Sequence, residues 1–154
     1  MREKVHPGLF AVPGDKLEWQ DLDLNKPSRI NNWVLDFENA VEDLLKREVK
    51  EEAGLEIEGQ MQYVNSMAFV RPDETPVVFI KFAAKYKSGE VKPEPGSFTD
   101  FAWVNAEEVK NYPCIKGIPE KIEKTIAIFS NLKTRYRVNT HRTWSKLSTL
   151  CITR

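Results

Sequence analysis

The stretch 36–55, DFENAVEDLLKREVKEEAGL, is predicted to form one amphipathic helix, and it constrains the fold more than any other part of the chain. Its apolar side chains recur three and four positions apart, at Val41, Leu44, Leu45 and Val49. This spacing places them on one face, which is typical of a helix that packs against a core. Asp36 is expected to cap the N-terminus with its carboxylate, and Gly54 suits the left-handed residue that ends many helices.

Three glutamates fall within the angular range of that apolar face, close to the predicted C-terminal end. They are Glu48, Glu51 and Glu52. Such acids repel one another, and an inward position costs several kcal/mol for each unless something compensates. A hard divalent cation, Mg²⁺ or Mn²⁺, is the natural partner because it binds carboxylate oxygens. The run is therefore interpreted as a metal site rather than a solvated acidic patch, and Arg47 is expected to pair with Glu51 one turn later.

Residues 47–55, REVKEEAGL, resemble the second half of the Nudix box, R-E-U-x-E-E-x-G-U with U aliphatic. The resemblance implies an α/β fold, with a mixed β-sheet between helices in an α/β/α sandwich. It also implies hydrolysis of nucleoside diphosphate derivatives with Mg²⁺ or Mn²⁺ held by Glu48, Glu51 and Glu52. In such an enzyme a carboxylate such as Glu51 takes a proton from metal-bound water, and Arg47 orients the glutamates.

The first half of the box is less regular. Residues 13–16, PGDK, resemble its P-G-G-K opening, but Asp15 replaces the second glycine. In the family, the glycine backbone at this point approaches the metal and the diphosphate, which makes Gly14 and Lys16 candidate substrate contacts. Trp19 is a candidate to stack on a base, although a structural role is favoured for it.

Residues 22–35 are predicted to be an insertion inside the box, and their Asn, Lys, Pro and Ser content indicates an exposed loop. The first glutamate of the box can be located by counting from either side of the insertion. Counting forward from Asp15 places it at Asp21, whereas counting back from Arg47 places it at Asn39, with Glu38 beside it. A tolerated surface loop is favoured over a cap on the substrate site. Trp33 is a second candidate for base stacking. The end of the insertion is expected to pack on the core through Trp33, Leu35 and Phe37.

The rest of the chain supplies the predicted strands and a closing helix. Strands are expected at 9–12, 56–70, 76–87 and 101–104, a short helix after Asn105, and the closing helix at 117–130. The stretch 76–86 is predicted to be the central strand because it is rich in β-branched and aromatic residues. The resemblance implies that an acid in the loop before 101–104 acts as general base or extra metal ligand, and Asp100 and Glu94 are the candidates.

A length of 154 residues predicts one domain, at 1–130, followed by a basic C-terminal tail at 131–154. The formal net charge is zero, so nucleic acid is disfavoured as a partner, and no apolar run has the length of a membrane span. The chain shows no signal-peptide core, and Cys114 and Cys151 lack metal or redox spacing. We therefore expect a cytoplasmic protein.

Relatives carry a strand at the start of the domain, and only residues 1–5 are available for it here. An edge strand of the sheet is therefore expected to be missing. A second copy of the chain that fills this gap would make a homodimer. Three classes of function follow, of which the weakest, a nucleic-acid-binding protein, rests on the basic tail alone. The favoured one is a divalent-metal-dependent pyrophosphohydrolase with a nucleotide-like small-molecule substrate. The alternative is a non-catalytic Nudix-like nucleotide-binding module, which Asp15 and the insertion favour and the complete glutamate run opposes.

Overall fold

The computed structural model describes residues 7–135 and 149–153. These residues form both helices and strands, which confirms the predicted α/β class. The strands are β1 (Phe10–Ala11), β2 (Arg29–Asn31), β3 (Val34–Asp36), β4 (Glu56–Ile57), β5 (Gln62–Val70), β6 (Pro76–Ala83), β7 (Tyr86–Ser88), β8 (Asp100–Val104) and β9 (Thr149–Thr153). The α-helices are α1 (Ala40–Ala53) and α2 (Ile118–Arg135). Short 3-10 helices cover Trp19–Asp21 and Glu108–Asn111.

The strands form four small sheets. The largest has the order β1-β9-β8, with both pairings antiparallel. The other strands pair as β2 with β3, β4 with β7 and β5 with β6, again antiparallel. Among the described residues, the parallel direction expected of a mixed sheet occurs as an isolated bridge between Phe10 and Cys114.

The prediction of a central strand at 76–86 is wrong for the part of the chain that the structure describes. The stretch is extended there, but β6 pairs with β5 alone, and the side chain of Val78 is 70% exposed. Composition favours a strand because β-branched side chains fit a pleated surface, whereas the number of neighbouring strands is set by tertiary contacts.

The main core lies where the β1-β9-β8 sheet packs against α2. Ile122 of α2 and Val104 of β8 are almost fully buried there, together with Val109. Phe10 packs edge-to-face on Tyr112, with ring centroids 5.1 Å apart. A second cluster at the C-terminal end of α1 joins that helix to the sheet through Ala53, Leu55, Phe98 and Leu150.

The start of α1 differs from the prediction. Asp36 does not cap the helix; it ends β3 and pairs with Arg29 of β2 at 2.9 Å. The helix begins four residues later, after Asn39, whose left-handed backbone has φ 58° and whose side chain makes no capping hydrogen bond. Gly54 ends the helix as predicted, with φ 72° and its N–H donating to the carbonyl of Lys50.

The insertion 22–35 contains the β2–β3 hairpin, with the loop before it. Trp33 at its tip is 98% exposed, and Leu35 is also exposed, so the prediction that they pack on the core is wrong. Phe37, next to the helix, is half-buried. Polar composition correctly indicated an exposed segment, but it could not indicate that Arg29 and Asp36 would stabilise a hairpin there.

The end of the chain requires a further correction. Residues 131–135 continue α2 beyond the predicted end of the closing helix, and 149–153 form β9, the middle strand of the largest sheet. These two segments are parts of the fold rather than of a separate tail. The rest of the predicted tail, and the predicted gap at residues 1–5, lie outside the described residues. Within the described part, neither helix has the length and apolar character needed to cross a membrane.

Candidate active site

The glutamates of α1 do not all face the same way. Glu48 is 4% and Glu52 is 2% exposed, whereas the side chain of Glu51 is 58% exposed. Residues 48 and 52 are one turn apart and share the inward face, while residue 51 is rotated by about 100° from residue 52. The prediction of an inward position is therefore confirmed for Glu48 and Glu52 and wrong for Glu51.

Arg47 lies among three carboxylates. Its Nη2 is 2.8 Å from Oδ1 of Asp21 and 3.1 Å from Oε1 of Glu48, and its Nε is 4.0 Å from Oε1 of Glu51. The predicted pairing with Glu51 is present as the longest of the three contacts. The hydrogen bonds from Arg47 to Asp21 and then to Glu48 raise the pKa of the guanidinium above its ordinary value, so Arg47 remains a cation.

Asp21 is the last residue of the 3-10 helix Trp19–Asp21 and is fixed by its own turn. The N–H of Glu18 donates to Oδ2 of Asp21 at 2.7 Å, and the N–H of Asp21 donates to the carbonyl of Glu18. The Glu18 N–H is the main cause, and Arg47 the second, of a lowered pKa for the Asp21 carboxyl. Of the two positions left open for the first box glutamate, Asp21 is the one that contacts Arg47. Glu38 is exposed, and its N–H donates to Oγ of Ser28.

Gly14 contacts the buried end of the glutamate run. Its N–H donates to Oε2 of Glu52 at 2.9 Å. The φ of Gly14 is +149°, a conformation that side chains rarely adopt, so glycine suits this position. Gly14, which was predicted to approach the metal site, thus lies within hydrogen-bond distance of one of the carboxylates predicted to form that site.

The other candidate substrate contacts are exposed. Nζ of Lys16 lies 2.9 Å from Oε1 of Glu18, and Trp19 is 67% exposed on the 3-10 helix. Trp33 lies at the tip of the insertion hairpin.

The loop between β7 and β8 covers the C-terminal end of α1. The N–H groups of Lys92 and Glu94 donate to the carbonyls of Ala53 and Glu52, at 2.9 and 3.0 Å. The last carbonyls of a helix lack hydrogen-bond donors within the helix, and the N–H groups of this loop act as those donors. Glu94 therefore lies beside Glu52. Asp100, the other candidate acid, is exposed at the start of β8, and its Oδ1 accepts from the N–H of Phe101 at 2.7 Å.

A close approach of two glycines holds that loop in place. A Cβ built on Gly89, which has φ +108°, would lie 2.8 Å from the carbonyl oxygen of Gly54 and 3.3 Å from Cα of Leu55. A side chain at Gly89 would push the loop away from the helix. From the sequence alone, a glycine at this position is typical of a turn, and nothing indicates its contact with Gly54.

A cavity of about 330 Å³ lies between the insertion and the first turns of α1. One end is formed by Asp21 and Arg47, which connect it to the glutamate run. The residues that line it are Asp21, Leu22, Asp23, Lys26, Ser28, Phe37, Glu38, Ala40, Asp43, Leu44 and Arg47. The base of the insertion thus borders the site, while its tip points to solvent.

Comparison with known families agrees with this geometry. The family model described as the NUDIX domain matches residues 1–124, which is most of the 154-residue chain. The chain belongs to the Nudix family. The resemblance inferred from residues 47–55 is therefore confirmed, and Glu48, Glu51 and Glu52 are the glutamates of that run.

Two similar proteins are bacterial. The NAD-capped RNA hydrolase NudC of Pseudomonas putida is 32% identical over 79 residues, which cover 51% of this chain and 27% of that protein. The NAD-capped RNA hydrolase NudC of Photobacterium profundum is 30% identical over 97 residues, or 60% of this chain and 34% of that protein. This Nudix chain thus spans about a third or less of the length of these curated relatives. No solved structure matches it.

The donor atoms of the Nudix box suit a divalent cation, because carboxylate oxygens are the ligands that Mg²⁺ and Mn²⁺ prefer. In the described residues, however, the side chains that carry these oxygens are not arranged as a metal site. Within residues 7–135 and 149–153, no three His, Cys, Asp or Glu side chains form a group that could hold a metal ion. Glu48 and Glu52 are inward, and Glu51 points out beside Arg47.

Proposed function

We propose that this Nudix chain is a divalent-metal-dependent hydrolase that cleaves the diphosphate of a nucleotide-like small molecule. The observation that carries the proposal is the burial of Glu48 and Glu52 at the end of a helix whose R-E-V-K-E-E-A-G-L run is complete. Burial of two like charges one helical turn apart is unfavourable, and a bound cation would compensate for it. Membership of the Nudix family supports the same activity.

The residues that would hold Mg²⁺ or Mn²⁺ are Glu48, Glu52 and Glu51. Glu51 has to rotate about its side-chain bonds from its place beside Arg47, and its exposure leaves room for this. When bound, the cation would neutralise the diphosphate and lower the pKa of a coordinated water. Gly14 holds the carboxylate of Glu52 in one orientation through a charge-assisted hydrogen bond.

The proton acceptor in this proposal is Glu51. An exposed carboxylate that rotates over the end of α1 is able to accept a proton from water at the site. Glu94 is the second candidate, because its backbone is hydrogen-bonded to that of Glu52. Asp100 loses support, since its carboxylate accepts from its own strand.

The cavity beside Arg47 is our proposed place for the part of the substrate beyond the diphosphate. Its volume of about 330 Å³ is at the small end of the range for ligand sites. Lys16 and Trp19 remain candidates for substrate contacts, since both side chains are exposed. The names of the relatives favour a dinucleotide diphosphate, either free or at the end of an RNA.

A panel of diphosphates tests the proposal. It would contain NAD⁺, NADH, ADP-ribose, nucleoside triphosphates and an NAD-capped RNA, each incubated with Mg²⁺ or Mn²⁺. We expect cleavage at the diphosphate of at least one compound, and no cleavage in excess EDTA. Chromatography would show two monophosphate products from a dinucleotide, ADP-ribose or capped RNA, and a mononucleotide with pyrophosphate from a triphosphate. Cleavage of the capped RNA would also reverse the prediction that nucleic acid is disfavoured.

The competing function is a nucleotide-binding module without catalysis. The outward position of Glu51 and the replacement of a box glycine by Asp15 favour it. Calorimetry would measure the binding of each compound of the panel. Saturable binding without product formation, in the presence of either Mg²⁺ or Mn²⁺, would support the binding module and contradict the hydrolase.

A further inference from the structure

One face of the β2–β3 hairpin continues the wall of the cavity beside α1. Ser28 and Phe37, which flank the hairpin, both line the cavity. Side chains two positions apart in an extended strand share a face, and so do residues directly opposite each other on paired strands. Ile30 therefore lies on the face of Ser28, and its cross-strand partner Leu35 lies on the face of Phe37. This apolar pair extends the cavity wall towards the tip of the hairpin.

The apolar face is accessible to a ligand. Ile30 is 65% and Leu35 is 39% exposed, whereas Phe37, next to them along the hairpin, is half-buried. At the base of the hairpin, the opposite face is occupied by the ion pair between Arg29 and Asp36. A cavity that contains an aromatic ring and opens onto an apolar strand pair suits a flat ligand, which can lie against the ring and the pair together.

The charges around the cavity are mainly negative. The ionisable residues of its lining are the acids Asp21, Asp23, Glu38 and Asp43 and the bases Lys26 and Arg47. Both bases are paired with acids of the same lining, Lys26 with Asp23 at 3.3 Å and Arg47 with Asp21 at 2.8 Å. Asp43 pairs with Lys46, which is not part of the lining. The carboxylate of Glu38 has no ion pair with any residue that the structure describes, so a negative charge is left over beside Phe37.

We propose that the cavity and the Ile30–Leu35 pair bind an aromatic ring that carries a positive charge, such as an oxidised nicotinamide, and select it over a neutral ring of similar shape. This inference rests on the proposed function, which places the part of the substrate beyond the diphosphate in this cavity. The face of an aromatic ring attracts a cation, and Phe37 supplies such a ring. Glu38 adds the attraction of an opposite charge. A neutral ring keeps the apolar contacts but loses both attractions.

The experiment uses two small probes without phosphate, 1-methylnicotinamide, which is a cation, and nicotinamide, which is neutral. Each is titrated into the full chain in excess EDTA, so that binding is measured without a metal ion. NMR chemical shifts give the dissociation constants and should change most at Phe37 and Leu44 of the lining. We expect the cation to bind roughly fivefold more tightly, the combined size of a cation–π contact and an exposed ion pair.

The ratio of the two dissociation constants separates recognition of charge from recognition of shape. Glu38→Gln and Phe37→Leu should each bring the ratio closer to one, whereas general damage to the cavity would weaken both probes alike. Ile30→Ser should also weaken both alike, because it removes apolar contact only. The matched control is Glu42→Gln, which removes an acid of the first turn of α1 that is not part of the lining and should keep the wild-type ratio.

NAD⁺ and NADH extend the test to whole dinucleotides, since they share the same diphosphate and differ in the charge of the nicotinamide ring. The metal-free protein should bind NAD⁺ more tightly than NADH, and Glu38→Gln should reduce this difference. Equal binding of the charged and neutral members of both pairs would overturn the proposal, as would a preference that Glu38→Gln and Phe37→Leu leave unchanged or a failure of all four compounds to bind.

The outcome for the site is distinct from the outcome for the hydrolase. The expected charge preference in a protein that cleaves no diphosphate would support the ring site and contradict the hydrolase. Cleavage of a diphosphate by a protein that shows no charge preference would support the hydrolase and overturn the ring site.

Discussion

The backbone N–H of Gly14 donates to Oε2 of Glu52 over 2.9 Å, across 38 positions of sequence. Together with the contact between Asp21 and Arg47, it brings residues 14–21 beside the glutamate run of α1. The segment 22–35, which is predicted to be an insertion, therefore lengthens the connection between these two parts without separating them. A loop of this length adds only a small entropic cost to folding, because that cost grows slowly with loop length.

The loop that covers the C-terminal end of α1 should depend on Gly89. Gly89→Ala is expected to lower the free energy of unfolding by at least about 2 kcal/mol, because it adds a left-handed penalty and a clash with the Gly54 carbonyl. Urea denaturation measures the loss. Gly96→Ala is the matched control: Gly96 also has positive φ, but nothing lies within 4 Å of its added Cβ, so it should lose only about 1 kcal/mol. Equal losses in the two variants would show that the contact with Gly54 is unimportant.

The acid sensitivity of the protein should depend in part on Glu56. Hydrogen bonding from the Ser88 hydroxyl is the largest cause of its lowered pKa, followed by the charges of Lys50 and Lys87. A carboxyl with a lowered folded pKa contributes stability at pH values above its ordinary pKa, and this is lost as pH falls through the folded pKa. Ser88→Ala should therefore be less stable than wild type at neutral pH, with a gap that narrows in acid.

The measurement for Glu56 is urea denaturation at a series of pH values, with the carboxyl titrated by NMR. The pKa of Glu56 should move towards its ordinary value in Ser88→Ala. In a Glu56→Gln background the pH-dependent part of the Ser88→Ala effect should disappear. A gap between Ser88→Ala and wild type that is constant from neutral to acid pH would contradict the linkage.

The sequence predicted the parts of this molecule that depend on local signals. The period of the apolar residues and Gly54 correctly gave the face and the end of α1, and the complete glutamate run gave the family. The start of α1 was not predictable from the sequence. Aspartate is a favourable N-cap residue, but Asp36 belongs to β3 of the β2–β3 hairpin. The outward position of Glu51 reflects its place at the edge of the apolar face.

Contacts between distant parts of the chain were beyond the sequence. Counting along the chain left Asp21 and Glu38 as alternatives, since an insertion of unknown shape lay between them and the rest of the box. Only the fold shows that Asp21 reaches Arg47. In the same way, Glu94 and Asp100 were equal candidates until the loop was seen to donate its N–H groups to the carbonyls of α1.

The β5–β6 hairpin should make the protein associate with itself. Both faces of the hairpin carry exposed apolar side chains, such as Met67 and Phe79 on one and Val78 on the other. β5 has no charged residue and, among the described strands, no neighbour except β6. An uncharged free edge is a template for pairing with a second chain. We expect sedimentation velocity to show association that increases with concentration.

A single charge should test that surface without unfolding the protein. Val78→Lys adds a charge at an exposed position and should reduce association while leaving the melting temperature nearly unchanged. Lys87→Gln, which changes an exposed side chain in another sheet, is the control and should associate as the wild type does. A wild-type protein that remains monomeric at every concentration would contradict the predicted homodimer.

The last prediction separates metal binding from scaffold at Glu52. Glu52→Gln keeps the size and helix propensity of the side chain, and its amide oxygen still accepts from the N–H of Gly14. Metal-free stability should hold or rise, because repulsion between Glu52 and Glu48 is lost. Activity should fall on the order of a hundredfold, and stabilisation by added Mg²⁺ should shrink, because only binding to the native state raises stability.

The measurement is a pair of melting curves for each protein, with and without Mg²⁺, together with a rate on a substrate that the wild type cleaves. Glu42→Gln removes one charge from the first turn of the same helix, away from the box, and serves as the control. It should keep the full Mg²⁺-induced shift, whereas Glu52→Gln should lose most of it. If wild type and Glu52→Gln gave equal shifts and equal rates, Glu52 would not be a ligand, and its burial would have to be explained by contacts within the protein, such as the hydrogen bond from Gly14.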